Sequence, residues 1–237
     1  MNTFLRTELL IGSSALQKLQ NSSVAVFGLG GVGSFVVEGL ARSGVGKLTI
    51  IDNDTVQDTN LNRQLIATTD TIGKKKTTAT EQRIKSICPS IDVQSLDMFV
   101  TLDTISQIDF TAFDYVVDAI DTVSGKLAII SRATMQNIPV ISCMGTGGKL
   151  NPLSLTVTDI SKTQYCPLAR VMRRELKSRG ISHLKVVYSP EETITNKDKE
   201  NSEKKADGKR APSSMIFVPG TAGLIIASQV VNDLIKE

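Results

Sequence analysis

The most constraining feature of this chain is an apolar run that leads directly into a glycine-rich turn near the N-terminus. Residues 22–33 read "SSVAVFGLGGVG", and residues 33–44 continue as "GSFVVEGLARSG", the pattern of a helix. Gly28, Gly30 and Gly33 fit the spacing G-x-G-x-x-G, in which the glycines permit a tight turn and the helix N-terminus offers unpaired amides to phosphate. The sequence therefore predicts a buried strand, a phosphate-binding turn and a helix.

Strands and helices continue to alternate after this unit. Further strands are predicted at 46–52, 91–100, 113–121 and 138–145, and helices at 73–88 and 123–137. Past Gly147 the order is an antiparallel strand at 150–161, a helix at 166–180, a strand at 184–189, and a strand end leading into a helix at 217–235. Because alternation implies parallel crossovers, we predict an α/β fold, Rossmann-like and doubly wound, with a mostly parallel sheet and an antiparallel C-terminal extension.

The length of 237 residues, of which 41% are apolar, suits a single large domain that spans residues 1–237. Residues 1–20 are predicted to form an N-terminal arm or helix. Residues 190–212 are rich in charge, and from Asn196 on they contain almost no apolar residues. Such a segment cannot bury an apolar face, so a mobile loop is expected there.

Composition argues against a protein with structural zinc, with disulfides, with a signal peptide or with a membrane span. A formal net charge of +3 does not by itself require a nucleic-acid partner. Three cysteines lie far apart without a C-x-x-C pair, which argues against structural zinc and disulfides and favours a reducing compartment. Neither a signal peptide nor a run of eighteen apolar residues is recognisable, and "GLIIASQVV" is short enough for a core helix. We expect a cytoplasmic soluble protein without a membrane span.

Polar residues after the second predicted strand narrow the choice of nucleotide. Asp52 ends that strand, where a carboxylate can bind the ribose hydroxyls. The stretch "TNLNRQ", residues 59–64, follows and supplies Asn60, Arg63 and Gln64. A dinucleotide oxidoreductase needs no cationic cluster at this place, whereas a nucleoside triphosphate does.

Three lysines, Lys74 to Lys76, are expected in the first turn of the helix at 73–88. Cations there oppose the helix dipole and cost a few tenths to about 1 kcal/mol each. An anionic ligand would reverse the sign of that cost, although a solvated lysine-rich turn is the alternative. Together with Arg63, these lysines favour a bound polyphosphate.

Two carboxylates lie at the end of the fourth predicted strand. Asp118 and Asp121, in "VVDAID", belong to the carboxyl edge of the sheet. Carboxylates there can hold magnesium, which prefers oxygen ligands and accompanies phosphates. Aspartates are also common strand-end caps, and this alternative is stronger for Asp118 than for Asp121. A nucleotide site with arginine, lysine and a metal-binding aspartate is suited to stabilising charge on a transferring phosphorus.

The motifs "GLGGVGS", "IDND", "TNLNRQ", "IGKKK" and "DAID" occur here in an order that resembles the ThiF/MoeB-type adenylating enzymes related to ubiquitin-activating proteins. Within that group the chain is most similar to the tRNA threonylcarbamoyladenosine dehydratases. The similarity extends from about Arg6 to the last helix and includes "DISKT", "PLARVMRRELKSRG" and "PSSMIFVPGTAGLI". It implies ATP-dependent cyclisation of threonylcarbamoyladenosine in tRNA, through a carboxyl-adenylate intermediate and with loss of water.

The resemblance also implies roles for individual residues. Gly30, Gly31 and Gly33 would contact the phosphates, and Asp52 would bind the ribose. Asp54 and Asn60 would support the site. The triphosphate would be held by Arg63, Gln64 and Lys76, and Mg²⁺ by Asp121. Arg6 would reach across a homodimer to the ATP of the partner.

Alternative functions remain open at this level. An adenylating enzyme for a ubiquitin-like sulfur-carrier protein is the nearest, but such relatives usually carry two C-x-x-C pairs for zinc, which are missing here. An NAD-dependent oxidoreductase or an ATP-binding scaffold without turnover is less consistent with Arg63, Lys76 and Asp121. A sulfur-relay protein is a further expected partner. Cys166 is either a nucleophile or, as we favour, a neutral substitution, and His183 is expected in a capping or exposed position.

A basic stripe is predicted on the helix at 166–180. Arg170, Arg173, Arg174 and Lys177 fall at i, i+3, i+4 and i+7 and so share one face. Leu168, Met172 and Leu176 lie on the opposite face and should pack inward. Such a stripe suits phosphate contacts with RNA, although a solvated amphipathic helix gives the same pattern. The lysine-rich segment 197–210 either clamps RNA or has no role.

Overall fold

A computed structural model of the chain describes residues 3–194 and 213–236. Its helices are α1 Leu5–Ile11, α2 Ser13–Asn21, α3 Gly33–Ser43, α4 Lys76–Ile87, α5 Val123–Met135, α6 Pro167–Lys177 and α7 Phe217–Ile235. Its strands are β1 Ser23–Phe27, β2 Lys47–Asp52, β3 Asp92–Asp97, β4 Tyr115–Asp118, β5 Val140–Cys143, β6 Thr156–Asp159 and β7 Lys185–Tyr188. Short 3₁₀ turns connect several of them.

The strands form one seven-stranded sheet in the order β3-β2-β1-β4-β5-β7-β6. All neighbouring pairs are parallel except β6 and β7, which are antiparallel at one edge. The predicted fold class, with its antiparallel C-terminal extension, is confirmed. Sequence order reverses between β1 and β4, and in open α/β sheets ligands bind beyond the carboxyl ends of the strands at such a point.

The central strand β1 is buried on both faces of the sheet. Val24 and Val26 belong to a core cluster with residues of α3 and α7, whereas Ala25 and Phe27 belong to a second cluster on the opposite face. This alternation follows from the period of two in a strand. A parallel strand covered on both faces reads as a continuous apolar run, which is why β1 is recognisable in the sequence.

The C-terminal part of the chain differs from the prediction in two places. Residues 217–235 are helical from Phe217 on, so the expected strand end there is wrong. Pro219 belongs to the first turn of α7, where its missing amide hydrogen has no intrahelical partner to lose. Of the expected strand at 150–161, only Thr156–Asp159 is extended. Most of the expected loop at 190–212 lies outside the described residues.

Within the described part of the chain, α7 is the only helix long and apolar enough to cross a membrane by length and composition. It packs instead on the sheet beside α3. Ala222, Ile226 and Val230, spaced four apart, are completely buried in the main core cluster. Their position favours a core helix, as predicted from the sequence.

An ion-pair network connects α4 to α3. The Glu38 carboxylate accepts hydrogen bonds from Arg83 of α4 at 2.9 and 2.8 Å and from Arg42 at 2.7 Å. Burial alone would raise the pKa of Glu38, but the hydrogen bonds from Arg83 and Arg42 outweigh it, and the net pKa is lowered. The network fixes the orientation of α4, whose first residue enters the functional site described below.

The turn between β1 and α3 depends on an unusually close backbone approach. Gly28 has a φ of +88°, a left-handed conformation that favours glycine. A Cβ atom added to Gly33 would lie only 1.7 Å from the carbonyl oxygen of Gly28. In contrast, a Cβ atom on Gly30 would meet no atom closer than 3.9 Å. Gly33 is therefore required for the fold, and Gly30 is not.

We predict that Gly33→Ala lowers the free energy of unfolding by about 2–4 kcal/mol, because the new methyl group forces the turn apart. Urea unfolding followed by circular dichroism measures the change. Gly30→Ala is the matched control and should unfold within about 1 kcal/mol of the wild type, at the cost typical of a surface substitution. Equal stability of the two variants would contradict the role assigned to Gly33.

Candidate active site

A cleft of about 770 Å³ opens at the carboxyl edge of the sheet, above the ends of β1 and β4. Its walls come from the glycine turn, the segment after β2, the start of α4, the segments after β4 and β5, and the start of α6. Its position at the reversal of strand order and its size both suit a nucleotide-sized ligand.

The floor of the cleft is the glycine turn. Gly28, Gly30 and Gly31 line it directly. Because the space above Gly30 is open, a ligand can approach the backbone itself. The backbone of this turn, at the N-terminus of α3, therefore suits an anion.

Asp52 connects β2 to this turn. Its Oδ2 accepts a hydrogen bond from the Leu29 amide at 2.7 Å, and its Oδ1 accepts one from the Asp54 amide at 2.8 Å. A carboxylate oxygen has two lone pairs, so both oxygens keep acceptor capacity for a ligand in the cleft. Asp52 lies at the end of β2, as expected, and its contact with ribose stays a prediction.

The segment "TNLNRQ" folds back over the glycine turn. Arg63 Nη1 donates to the Thr59 carbonyl at 2.9 Å and to Asn62 Oδ1 at 3.0 Å, which holds the guanidinium at the wall of the cleft. The side chain of Asn60 caps the preceding turn, because its Oδ1 accepts from the Gln57 amide at 3.1 Å. Asn60 and Gln64 line the same wall.

Gln64 carries an unsatisfied polar atom. Its side chain is buried, and its Oε1 has no hydrogen-bond partner among the residues that the structure describes. A buried acceptor without a partner costs about 1–3 kcal/mol. Since Gln64 lines the cleft, a ligand that donates a hydrogen bond would remove this cost.

The three lysines behave differently from one another. Only Lys76 is helical, as the first residue of α4, and its Nζ lies 2.8 Å from Asp54 Oδ2. Lys75 precedes the helix and pairs with Asp97 at 3.0 Å, and the exposed Lys74 precedes it too. Neither Lys74 nor Lys75 lines the cleft. The expectation of three lysines in one helical turn is therefore wrong, and Lys76 alone enters the site.

The two aspartates at the end of β4 differ in their surroundings, because one is exposed and the other is buried. Asp121 is exposed and lines the cleft. Asp118 is completely buried, where its Oδ2 accepts from Lys126 Nζ at 3.0 Å and from Ser142 Oγ at 2.5 Å. Lys126 also donates to the Cys143 carbonyl at 2.7 Å. Asp118 is thus committed to a core ion pair, and the magnesium prediction rests on Asp121 alone.

The residues at the far end of the cleft were not predicted from the sequence. This end is formed by Cys143 at the end of β5, by residues 144–147 after it, by Lys149, by residues 166–168 and by Thr193. The signal was present as "MGTGGK" directly after the fifth strand. A glycine-rich segment at the carboxyl edge of a strand is as suited to ligand approach as the first turn is.

Cys166 lines this end in a capping position. Its Sγ accepts a hydrogen bond from the Ala169 amide at 3.5 Å, at the start of α6. The neighbouring Cys143 is buried, and burial raises the pKa of its thiol to about 12. A protonated thiol is a poor nucleophile. Cys143 is therefore structural, and the geometry of Cys166 favours the same role.

Arg6 lies outside the cleft of its own chain. It is exposed on α1, and no residue of that helix is buried. The same helix exposes Leu5, Leu9 and Leu10, the last two by 78% and 84%. The expected contact of Arg6 with the ATP of a partner stays a prediction.

The basic stripe on α6 is partly occupied by internal contacts. Arg173 Nη1 donates to the carbonyl of Thr163 at 2.6 Å and to its hydroxyl group. Arg174 pairs with Glu175 at 3.1 Å. Arg170 and Lys177 are exposed, and Met172 and Leu176 are buried as predicted. The exposed His183 lies 3.3 Å from Asp159.

The chain is similar to known proteins over its full length. The ThiF family profile matches residues 4–236. The tRNA threonylcarbamoyladenosine dehydratase of Bacillus subtilis is 43% identical over 244 residues, covering 100% of this chain and 96% of that protein. The Escherichia coli enzyme of that name is 42% identical over 172 residues, covering 73% and 64%. The crystal structure of E. coli TcdA in complex with ATP superposes with a TM-score of 0.88 at 34% identity, covering 98% of this chain and 93% of that one.

We predict that the Asp118–Lys126 pair stabilises the packing of α5 on β4 and β5 beneath the cleft and does not bind metal. Asp118→Asn should lower the free energy of unfolding by about 3–5 kcal/mol, because it leaves the Lys126 cation buried without its counter-charge. The double variant Asp118→Leu with Lys126→Met should recover most of that loss, since both charges are removed. Thermal denaturation without magnesium measures both. A double variant less stable than Asp118→Asn would contradict this assignment.

Proposed function

The chain belongs to the ThiF family, and on that premise we propose that it is an ATP-dependent adenylating enzyme that dehydrates N6-threonylcarbamoyladenosine in tRNA to a cyclic form. One observation carries the proposal furthest. A single cleft brings together an open glycine turn, the cations Arg63 and Lys76, and the carboxylate of Asp121. Full-length similarity to dehydratases supports the choice of substrate.

The reaction has two steps. A carboxylate oxygen of the threonyl group attacks the α-phosphorus of ATP, and the bond from that phosphorus to the bridging oxygen breaks with release of pyrophosphate. The carbamoyl group of the same nucleoside then attacks the activated carbonyl carbon, loses a proton, and displaces AMP. The net change in the nucleoside is the loss of one water. Ring closure is intramolecular and therefore benefits from proximity.

The residues of the chain would bind and orient ATP. The backbone at Gly30 and Gly31 would contact the phosphates, and Asp52 would accept hydrogen bonds from the ribose. Arg63 and Lys76 would hold the triphosphate and stabilise the negative charge that grows on its oxygens during transfer. The unsatisfied Oε1 of Gln64 fits a hydroxyl donor of the nucleotide. No enzyme nucleophile is required by this scheme.

The Lys76–Asp54 pair would change on nucleotide binding. Lys76 is buried, whereas the side chain of Asp54 is 60% exposed. If a phosphate replaced Asp54 as the partner of Lys76, water would solvate the exposed Asp54 carboxylate. The exchange would therefore cost little free energy. Asp54 would then keep the Lys76 side chain ordered before ATP arrives.

Magnesium would enter with the nucleotide. Within residues 3–194 and 213–236, no group of three or more histidines, cysteines, aspartates and glutamates could hold a metal ion. Magnesium is commonly bound through one or two carboxylates together with phosphate oxygens, and Asp121 at the cleft wall fits this arrangement. Bound there, the ion would neutralise phosphate charge.

The proposed assembly is a homodimer in which Arg6 reaches the ATP of the partner. The exposed apolar residues Leu5, Leu9 and Leu10 on the same helix support burial of α1 against a second copy. Arg170, Arg174 and Lys177 would contact tRNA phosphates, with Arg173 bracing the helix. A cytoplasmic location, expected from the sequence, is compatible with a tRNA substrate. A sulfur-relay protein stays an expected partner, on the basis of the sequence alone.

We predict that Arg63→Ala and Lys76→Ala each reduce tRNA-dependent pyrophosphate release by at least about 10²–10³-fold, because each removes a cation that faces the transferring phosphoryl group. Lys74→Ala is the matched control, since Lys74 belongs to the same lysine run but lies outside the cleft. It should retain wild-type activity. Near-normal release by the Arg63 or Lys76 variant, with its fold intact by circular dichroism, would contradict the proposed triphosphate contacts.

Mass spectrometry of tRNA nucleosides tests the substrate. Incubation of the enzyme and ATP with tRNA that carries threonylcarbamoyladenosine should convert that nucleoside to a product lighter by one water. Unmodified tRNA is the negative control and should release no pyrophosphate. Adenylation of the C-terminal glycine of a sulfur-carrier protein, with the tRNA unchanged, would instead favour the alternative function.

A further inference from the structure

Lys149 is a buried cation at the far end of the cleft. It follows β5 in the segment "GTGGK", and its residue is only 4% exposed. It nevertheless lines the cleft together with Thr146, Cys166 and Thr193. Its small exposed surface is therefore available to a ligand that enters from the cleft.

One of the three ammonium hydrogens of Lys149 has a partner that the structure identifies. Nζ donates to the carbonyl of the fully buried Ser189 at 2.5 Å. No carboxylate of the described residues forms an ion pair with Lys149. The nearby Glu191 carboxylate instead accepts from the backbone amides of Leu150 and Asn151, at 2.9 and 3.0 Å.

Burial of a cation without an ion pair has an electrostatic cost. It lowers the pKa of the Lys149 ammonium, and the fields of Cys166 and Glu191 only partly oppose this effect. Buried charges in proteins are normally paired or bind ligands. An anion that arrived from the cleft would supply the missing counter-charge.

The order of strands indicates which anion this is. Along the carboxyl edge of the sheet, neighbouring strands follow in the order β2, β1, β4, β5. Asp52 ends β2, the glycine turn follows β1 and Asp121 follows β4, so the nucleotide would occupy the ends of these three strands. At about 4.8 Å per strand, the end of β5 lies roughly 10 Å from the glycine turn, beyond the phosphates.

We infer that Lys149 binds the threonyl carboxylate of the modified nucleoside and holds it against the α-phosphorus of ATP. This inference rests on the proposed function and identifies the residue that recognises the second substrate. The attacking carboxylate and the phosphates repel each other, and a fixed cation on the approach side offsets that repulsion. A carboxylate also satisfies the remaining ammonium hydrogens.

The test compares two neutral variants, Lys149→Met and Lys149→Gln, with Lys149→Arg, which keeps the charge. Both neutral variants should bind ATP within about twofold of the wild type in equilibrium dialysis. Their kcat/KM for tRNA that carries threonylcarbamoyladenosine, measured by pyrophosphate release, should fall about 10- to 100-fold, the range for losing a charged hydrogen bond. Lys149→Arg should recover part of the loss.

Lys47→Met is the matched control. Lys47 is exposed at the start of β2, so it lies at the amino ends of the strands, away from the cleft at their carboxyl ends. It should behave as the wild type in both assays. Unchanged kcat/KM in folded neutral variants, a parallel loss of ATP affinity, or failure of both variants to fold would each overturn the inference. Absence of tRNA-dependent pyrophosphate release by the wild type itself would instead overturn the proposed function, and this inference with it.

Discussion

The site depends on the contact between Gly28 and Gly33. Because the α-carbon of Gly33 lies against the Gly28 carbonyl, no side chain can be placed there, and α3 must begin directly behind β1. That contact places the N-terminus of α3 at the carboxyl edge of the sheet. Asp52 then connects the turn to β2 through the Leu29 amide. The proposed phosphate-binding surface is therefore built from backbone that core packing holds in place.

Burial and partner, more than residue type, determine what each charge near the cleft can do. Lys126 and Asp118 are both completely buried and satisfy each other, so neither is available to a ligand. Lys76 is buried too, but its partner Asp54 is exposed and can be resolvated. Lys149 is buried with a carbonyl as its identified partner. These three lysines therefore range from a fixed structural cation to one whose charge is best balanced by a bound anion.

The features that could be predicted from the sequence are those that depend on residues close together in the chain. Apolar alternation and glycine spacing identified the parallel sheet, the turn and the position of Asp52, because period and backbone conformation are local properties. The sequence-based prediction misplaced Lys74 and Lys75, since the helix start at Lys76 is fixed by the backbone pairing of Thr55 with Lys75. It left Asp118 open and missed Lys149, because their roles depend on β5 and β7, which lie far away in the chain. Contacts of that kind cannot be read from spacing.

Two segments, one after β2 and one after β5, favour adenylyl transfer over redox chemistry on such a sheet. The segment after β2 folds over the glycine turn, so that Gln64 Nε2 lies 3.9 Å from the position of a Cβ on Gly30 and Arg63 stands beside it. Cations placed there favour a polyphosphate that can be cleaved. The segment after β5 adds Lys149 on the side from which a second substrate must approach. Since an anionic nucleophile and an anionic electrophile repel each other, a fold that binds ATP becomes an adenylating enzyme only when cations flank both.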